Sequence, residues 1–293
     1  ELMLKLRDLD LLETNALTCT GLTIEDNLNA WEKSDRRKKF QEILFKQDKV
    51  DPNEVIYSKD RAMAKGMTST LCFPIGNLAP EGAVIKSTAI DSSVVDTDGV
   101  YRLTGPAKVF STEKDAVRAV KGLGNKIIEK GDVIILYGRG PIGAGMEEVA
   151  QVALALKHLD WGKHVALLTD ARFSGVSSGA CIGHISPEAL ANGPIGKIRD
   201  GDFIRIEIDR EKLCGSINFI GSENQKLDEN SAKTELNNRK LNQELCHDPR
   251  IHNDTRLWAT LQNVGGGAWG GCIYDTDKII ETINAGMDAL GKK

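Results

Sequence analysis

The chain has 293 residues, of which 27% are charged and 41% hydrophobic, and a net charge of −4. That length and balance suit one large core or two ordinary ones and exclude a disordered chain. No Lys/Arg block is dense enough to track a phosphate backbone, and nothing approaches the ~18 consecutive apolar residues of a membrane span, so neither nucleic acid nor membrane is expected as a partner.

The sequence opens on Glu1, within a helical pattern of leucines among charges, which suggests a piece of a longer protein. Residues 1–75 read as a mainly helical lead-in and inter-domain segment, broken at Asp51-Pro52. From Gly76 the texture changes to short apolar runs punctuated by glycine, and residues 76–293 read as the main domain. Ala83–Lys86 is a short strand candidate. Ser111 or Thr112 is placed to cap a helix through Val120. Asp132–Tyr137 and His164–Asp170 read as buried strands. Met146, Val149, Ala150, Ala153 and Leu156 fall on one face of a helix expected over 146–159, with Glu147 and Glu148 in its first turn. Ser186-Pro187-Glu188 has the form of another helix start, with Pro187 at the first position. Asp202–Asp209 alternates cleanly, and Leu213–Phe219 reads as its hairpin partner. Residues 222–256 are polar and suggest a surface helix and loop, whereas Leu257–Cys272 returns to the texture of packed structure. Strands linked both through helices and by hairpins imply a mixed α/β fold with a mixed or closed sheet.

Each of the two buried strands ends in a glycine-rich loop bearing one polar side chain of interest. The first loop, Gly138–Gly145, leads to Glu148, a carboxylate of the kind that suits a hard cation such as magnesium. A helix-terminal acid is the ordinary reading of that residue, and one carboxylate makes no site alone. The second loop, Arg172–Gly179, concentrates hydroxyls, glycines and one cation around Ser174. A loop serine bonding its own backbone is the commoner case, and Ser174 acts as a base only where a cation stabilises its alkoxide. Gly138–Gly143 spells GxGxxG, but Pro141 interrupts it and Asp170 lies well beyond the ~20-residue offset of a ribose-binding acid. A nicotinamide-dependent oxidoreductase is therefore the second reading, and a non-catalytic assembly domain the third. The six cysteines (Cys19, Cys72, Cys181, Cys214, Cys246, Cys272) are scattered, which fits unpaired thiols in a reducing cytoplasm and no self-contained zinc site. His184 reads as a packed, hydrogen-bonded histidine.

Several of these stretches together resemble the dihydroxy-acid and sugar-acid dehydratase family, which includes phosphogluconate dehydratase. They are Gly76–Lys86, Gly105–Phe110, Gly140–Glu148, Thr169–Gly175 and Gly183–Ala189. Tyr137–Gly145, Ala180–His184 and Asp254–Asp275 look most like the family's D-xylonate dehydratase branch, and Leu17–Thr23 is similar to its inter-domain stretch. The resemblance implies a β-barrel with flanking helices of the swivelling-domain type. It also implies removal of water from a 2,3-dihydroxy sugar acid, giving a 2-keto-3-deoxy acid. Ser174 would be the base and Glu148 a magnesium ligand, with Arg172, Gly175, Ser177 and His184 near the substrate. In the family an iron–sulfur cluster binds the leaving hydroxyl, and its cysteines lie in an N-terminal domain whose motifs match none of the six here. The chain is thus expected to be a C-terminal part, inactive alone, whose partners are a sugar acid, that cluster-binding domain and further copies in a homo-oligomer. Val176 supplies no hydroxyl to support Ser174.

Overall fold

The computed structural model describes residues 1–64 and 70–291 and divides into two compact units, Glu1–Ser69 and Thr70–Lys293. The first unit is helical, as its sequence suggests: α1 (Leu2–Asp8), α2 (Ile24–Lys33), α3 (Asp35–Lys46) and α4 (Lys59–Ala64). Thr23 and Asp26 form a reciprocal cap on α2, each side chain accepting the other's backbone N–H, and Ser34 caps α3.

The second unit is built on nine strands: β1 (Leu71–Cys72), β2 (Gly82–Lys86), β3 (Val100–Phe110), β4 (Val133–Leu136), β5 (Ala166–Thr169), β6 (Ala180–Ser186), β7 (Asp202–Asp209), β8 (Cys214–Ser222) and β9 (Gln225–Lys226). They lie in the order β1-β2-β6-β5-β4-β3-β7-β8-β9. β3, β4, β5 and β6 pair in parallel, and the remaining neighbours are antiparallel. β3 serves both halves: Ala107–Phe110 pairs with β4, whereas Val100–Pro106 pairs with β7. The sheet curls until its two flanks meet. The segment after β1 bridges to β8 at Ile75 and Ser216, and Asn77 latches the join by exchanging bonds with the main chain of Phe219. Gly76 is required at that seam, since a Cβ there would lie 2.2 Å from the Ile217 carbonyl oxygen. The expected mixed α/β barrel with flanking helices is thus the observed architecture.

Alternation along the strands sorts the core into two layers. Val133 and Ile135 of β4 point into the barrel with Leu168, Ile182, Ile204, Ile206, Ile208 and Phe219. Ile134 and Leu136 point outward, where α5 (Glu113–Val120) and α7 (Gln151–Lys157) cover them with Ala116, Val120, Val152 and Leu156. That is why β4 and β5 read as continuous apolar runs while β7 alternates. Thr112 caps α5, as expected.

Three expectations need correction. The helix placed over 146–159 is only α7, preceded by the short α6 (Pro141–Ala144). Gly145 and Met146 both take positive φ, which ends α6, and Glu147–Glu148 then runs extended beside Arg172. The apolar spacing that suggested a longer helix reflects burial of Val149 against the same layer as α7. Pro187 does not begin a helix either: a 3₁₀ turn starts only at Ala189, and Glu188 stands before it with its side chain directed at α6. Finally, the tail packs less than its composition suggests. α8 (Glu229–Asn238) buries Ala232 and Leu236, but α9 (Asn253–Val264) buries only Ala259, and α10 (Thr276–Ala289) buries nothing.

The Asn77 latch carries a measurable expectation. Asn77→Ala removes two bonds across the closure and strands the Phe219 N–H and C=O, which should cost about 1–3 kcal/mol in urea unfolding. A variant as stable as the parent would show that the seam is not held there.

Candidate functional site

The C-terminal ends of the parallel strands β4, β5 and β6 gather at one end of the sheet, the usual place for ligand chemistry in such folds. Asp170, directly after β5, is 1% exposed and binds loops from both neighbours. Its Oδ1 accepts the N–H of Arg139 at 2.9 Å, and its Oδ2 accepts those of Gly138 at 3.0 Å and Ala189 at 2.9 Å. Burial pushes this carboxyl above its ordinary value against the pull of those donors. Glu188, directly before the 3₁₀ turn, occupies the N-terminus of α6, accepting from Ile142 and Gly143. Burial, with the charge of Asp170 nearby, pushes it up to about 7.

These contacts decide the fate of the GxGxxG loop. The amides of Gly138, Arg139, Ile142 and Gly143, which a dinucleotide pyrophosphate would need, already donate to Asp170 and Glu188. The loop's anion cradle is filled by the protein's own carboxylates, which counts against the nicotinamide reading.

The buried Arg139 guanidinium orients the chain from Glu147 onward. It pairs with Glu147 and with Asp248, and Arg250 and Arg139 together hold Asp248 well below the usual carboxylate range. Since Glu147–Glu148 is extended, drawing Glu147 toward Arg139 turns Glu148 the other way. Glu148 is exposed and bridges to Arg172 in parallel fashion, with Arg172 Nη1 3.5 Å from its Oε2. Val149 N–H donates to Arg172 O, and Arg172 Nε to Met146 O, so the two glycine-rich loops lie side by side.

Ser174 stands two residues beyond Arg172. Its Oγ accepts the N–H of Val176 at 3.3 Å, the local turn bond expected of a loop serine. The same hydroxyl borders a cavity of about 390 Å³ that Gly175, Ser177 and His184 also line, together with Lys86 and Phe173. Lys86 Nζ donates to Gly175 O and braces the loop from β2. His184 departs from the expected packed histidine. Its backbone φ is +53°, its bonds run through its main chain to Ala171 and Trp269, and its half-buried imidazole makes no hydrogen bond among the described residues. Burial, with Arg172 near, lowers its pKa from the ordinary value. The structure therefore brings Ser174, Gly175, Ser177 and His184 around one cavity and pairs Arg172, at the start of the same loop, with Glu148 of the neighbouring segment, both outside that lining.

Among the described residues no three His, Cys, Asp or Glu side chains are grouped to hold a metal. Glu148 is free to give one oxygen to a cation but cannot complete its shell. The cysteines do not fit an iron–sulfur cluster: among the described residues no three of them group, and burial pushes the Cys72 thiol up to about 11 and the Cys181 thiol up to about 12, away from the thiolate form a ligand needs. No helix among the described residues is long and apolar enough to cross a membrane.

Glu188 gives this region a pH signature. Its folded pKa of about 7 lies above the ~4.3 of an unfolded glutamate, so its contribution is fully present below pH ~4.3 and is lost as pH rises through 7. Glu188→Gln keeps an acceptor for α6 and removes that titration. Between pH 5 and 8 the parent should lose on the order of 2 kcal/mol more than the variant in urea unfolding; parallel curves would count against a buried, ionising Glu188.

The sequence profile of the family described as "Dihydroxy-acid/6-phosphogluconate dehydratase C-terminal" matches residues 54–262. The chain is 55% identical to the D-xylonate dehydratase YagF of Escherichia coli, over 99% of this chain and 44% of that protein. It is 53% identical to the D-xylonate dehydratase YjhG of the same organism, over 95% of this chain and 42% of the relative. A dihydroxy-acid dehydratase of Agathobacter rectalis is 42% identical over 72% of this chain and 33% of the relative. The chain thus spans less than half the length of these relatives, and it belongs to the dihydroxy-acid/6-phosphogluconate dehydratase C-terminal family.

Proposed function

We propose that this chain is the C-terminal part of a sugar-acid dehydratase, a hydro-lyase acting on D-xylonate or a close 2,3-dihydroxy acid. The observation that carries the reading is the pairing of the two loops. Glu148 and Arg172 are locked together by backbone and side chain, and Ser174 comes two residues later in the lining of the neighbouring cavity. High identity to two D-xylonate dehydratases supports the substrate class.

In this reading Ser174 Oγ, as its alkoxide, takes the proton from C2 of the acid, the C2–C3 double bond forms, and the C3 hydroxyl departs as hydroxide, which becomes water with the proton that Ser174 gave up when its alkoxide formed. The resulting enol tautomerises to the 2-keto-3-deoxy acid. Glu148 would offer one carboxylate oxygen to a magnesium ion, whose Lewis acidity, when bound, would make the C2 proton removable and the serine alkoxide accessible. Arg172 fixes the carboxylate of Glu148, and Lys86 holds the Ser174 loop through Gly175 O. Gly175 and Ser177 keep the wall beside Ser174 small and polar, and the unpaired imidazole of His184 offers a hydrogen bond to a substrate hydroxyl. Because the cysteines of this chain do not gather, we assign the iron–sulfur ligands and the other magnesium ligands to an N-terminal portion of the enzyme. The scattered free thiols suit a reducing, cytoplasmic setting.

Two measurements test the reading. The purified chain should show no dehydration of D-xylonate; detectable keto-acid formation would overturn the division of labour. In the enzyme that joins this chain to its cluster-bearing portion, Ser174→Ala should lower kcat by roughly 10³-fold or more, with near-normal acid binding and cluster content. Retained turnover would remove Ser174 from the chemistry, and an equal loss of folding would make it structural.

A further inference from the structure

A serine that acts as base must first shed its own proton, and the cavity wall decides what can take it. Ser174 Oγ accepts from the Val176 N–H and donates to no acceptor among the described residues, so its hydrogen is free. Three titratable side chains share the lining with it: Lys86, Cys181 and His184. The Lys86 ammonium donates to Gly175 O and has no lone pair to offer. The Cys181 thiol donates to Ser178 O, and burial pushes it up to about 12, so it stays a protonated thiol rather than an acceptor. His184 remains. Its half-buried imidazole makes no hydrogen bond among the described residues. Burial, and after it the charge of Arg172, favours the neutral ring, which keeps one nitrogen lone pair.

The main chain holds this ring against the serine loop. His184 N–H donates to Ala171 O at 2.7 Å, and His184 O accepts from the Trp269 indole at 3.2 Å. Gly183, beside it, lies so close to the loop that a Cβ there would come within 3.0 Å of the Phe173 ring, and Ser174 follows Phe173 directly. The φ of +53° at His184 is uncommon outside glycine. Backbone strain of that kind persists where the surroundings over-determine it, as they do at many catalytic sites.

We propose that His184 carries the proton between Ser174 and the leaving oxygen of the acid, directly or through one water. It rests on the reading of Ser174 as the base. The Oγ–H bond of Ser174 breaks, and its proton moves to the free imidazole nitrogen. The alkoxide takes the C2 proton, which restores the hydroxyl. The C2–H electron pair becomes the C2–C3 double bond, and the C3–O pair leaves with the oxygen. The imidazolium then gives its proton to that oxygen, forming water and a neutral ring. Nothing is oxidised or reduced, and both side chains end as they began.

The test uses the enzyme that joins this chain to its cluster-bearing portion. Glycine suits the positive φ of His184 and opens room for a small base. His184→Gly should therefore lower kcat roughly 10²- to 10⁴-fold with KM near that of the parent. Added imidazole should restore much of that turnover in His184→Gly and none in Ser174→Ala. Turnover within a few-fold of the parent, or a loss that imidazole leaves unchanged, overturns the proposal. Should His184→Gly lose its fold or its cluster, His184→Asn decides, since asparagine also tolerates the left-handed region and cannot carry a proton. Parental kcat in that variant overturns the proposal, and a comparable fall in kcat at parental KM upholds it. A Ser174→Ala enzyme that keeps its turnover overturns both the base and its carrier, whereas an inactive Ser174→Ala beside an active His184→Gly overturns the carrier alone.

Discussion

A buried carboxylate, that of Asp170, is the constraint on which the candidate site depends. Taking such a group out of water costs several kcal/mol unless hydrogen bonds replace the lost solvent. Here three backbone N–H groups do so, from Gly138, Arg139 and Ala189. Those donors lie on the loops after β4 and β6, and the acceptor lies on the loop after β5. One side chain therefore sets three strand ends relative to one another. Glu188 repeats the device one layer out, its carboxylate seated on the first turn of α6. Both acids work as internal acceptors for a glycine-rich loop that in other folds would wait for a phosphate.

From that anchor the positions of the chemical groups are reached by short steps. Arg139 is held at its amide by Asp170 and spends its guanidinium on Glu147 and Asp248. Glu147 is thereby committed to the interior, and the pleat of an extended chain sends Glu148 to the opposite side. Glu148 then meets Arg172, which stands just past Asp170 on the loop after β5. The path from the buried acid to the exposed acid and on to Ser174 thus stays within directly bonded neighbours. Support of this kind holds the loops that carry Glu148 and Ser174 by bonds made within the described residues alone.

What the sequence disclosed, it disclosed through periodicity. The alternation of Ile204, Ile206 and Ile208 and the unbroken apolar run of Val133–Leu136 announced, respectively, a strand with one buried face and a strand with two. Both glycine-rich loops were visible, as was the mixture of parallel and hairpin connections behind the closed sheet. The failures are equally physical. Apolar spacing over 146–156 imitated a helix because Val149 and α7 bury against one layer, while the positive φ of Gly145 and Met146 forbids helix at the start. The tail reads as packed because Leu257, Trp258 and Trp269 are apolar, yet these are 56%, 56% and 39% exposed. Asp170 and Glu188 gave no local sign of their roles, since their partners lie 32 and 46 residues away in sequence. In the sequence Asp170 stands out as a strand-end acid at the wrong offset for a ribose.

The seam that closes the sheet has a bearing on how the polypeptide is made. Asn77 and Phe219, which fasten the join, are 142 residues apart, and at ~5–20 residues per second a ribosome needs about 7–28 seconds to span that gap. For most of that interval β1 and β2 have been made while β6, and then β8, has yet to follow, an unpaired flank of the kind that invites wrong pairing. The polar, glycine-broken texture of residues 76–82 separates the two short strands and keeps that waiting edge from being long, flat and apolar.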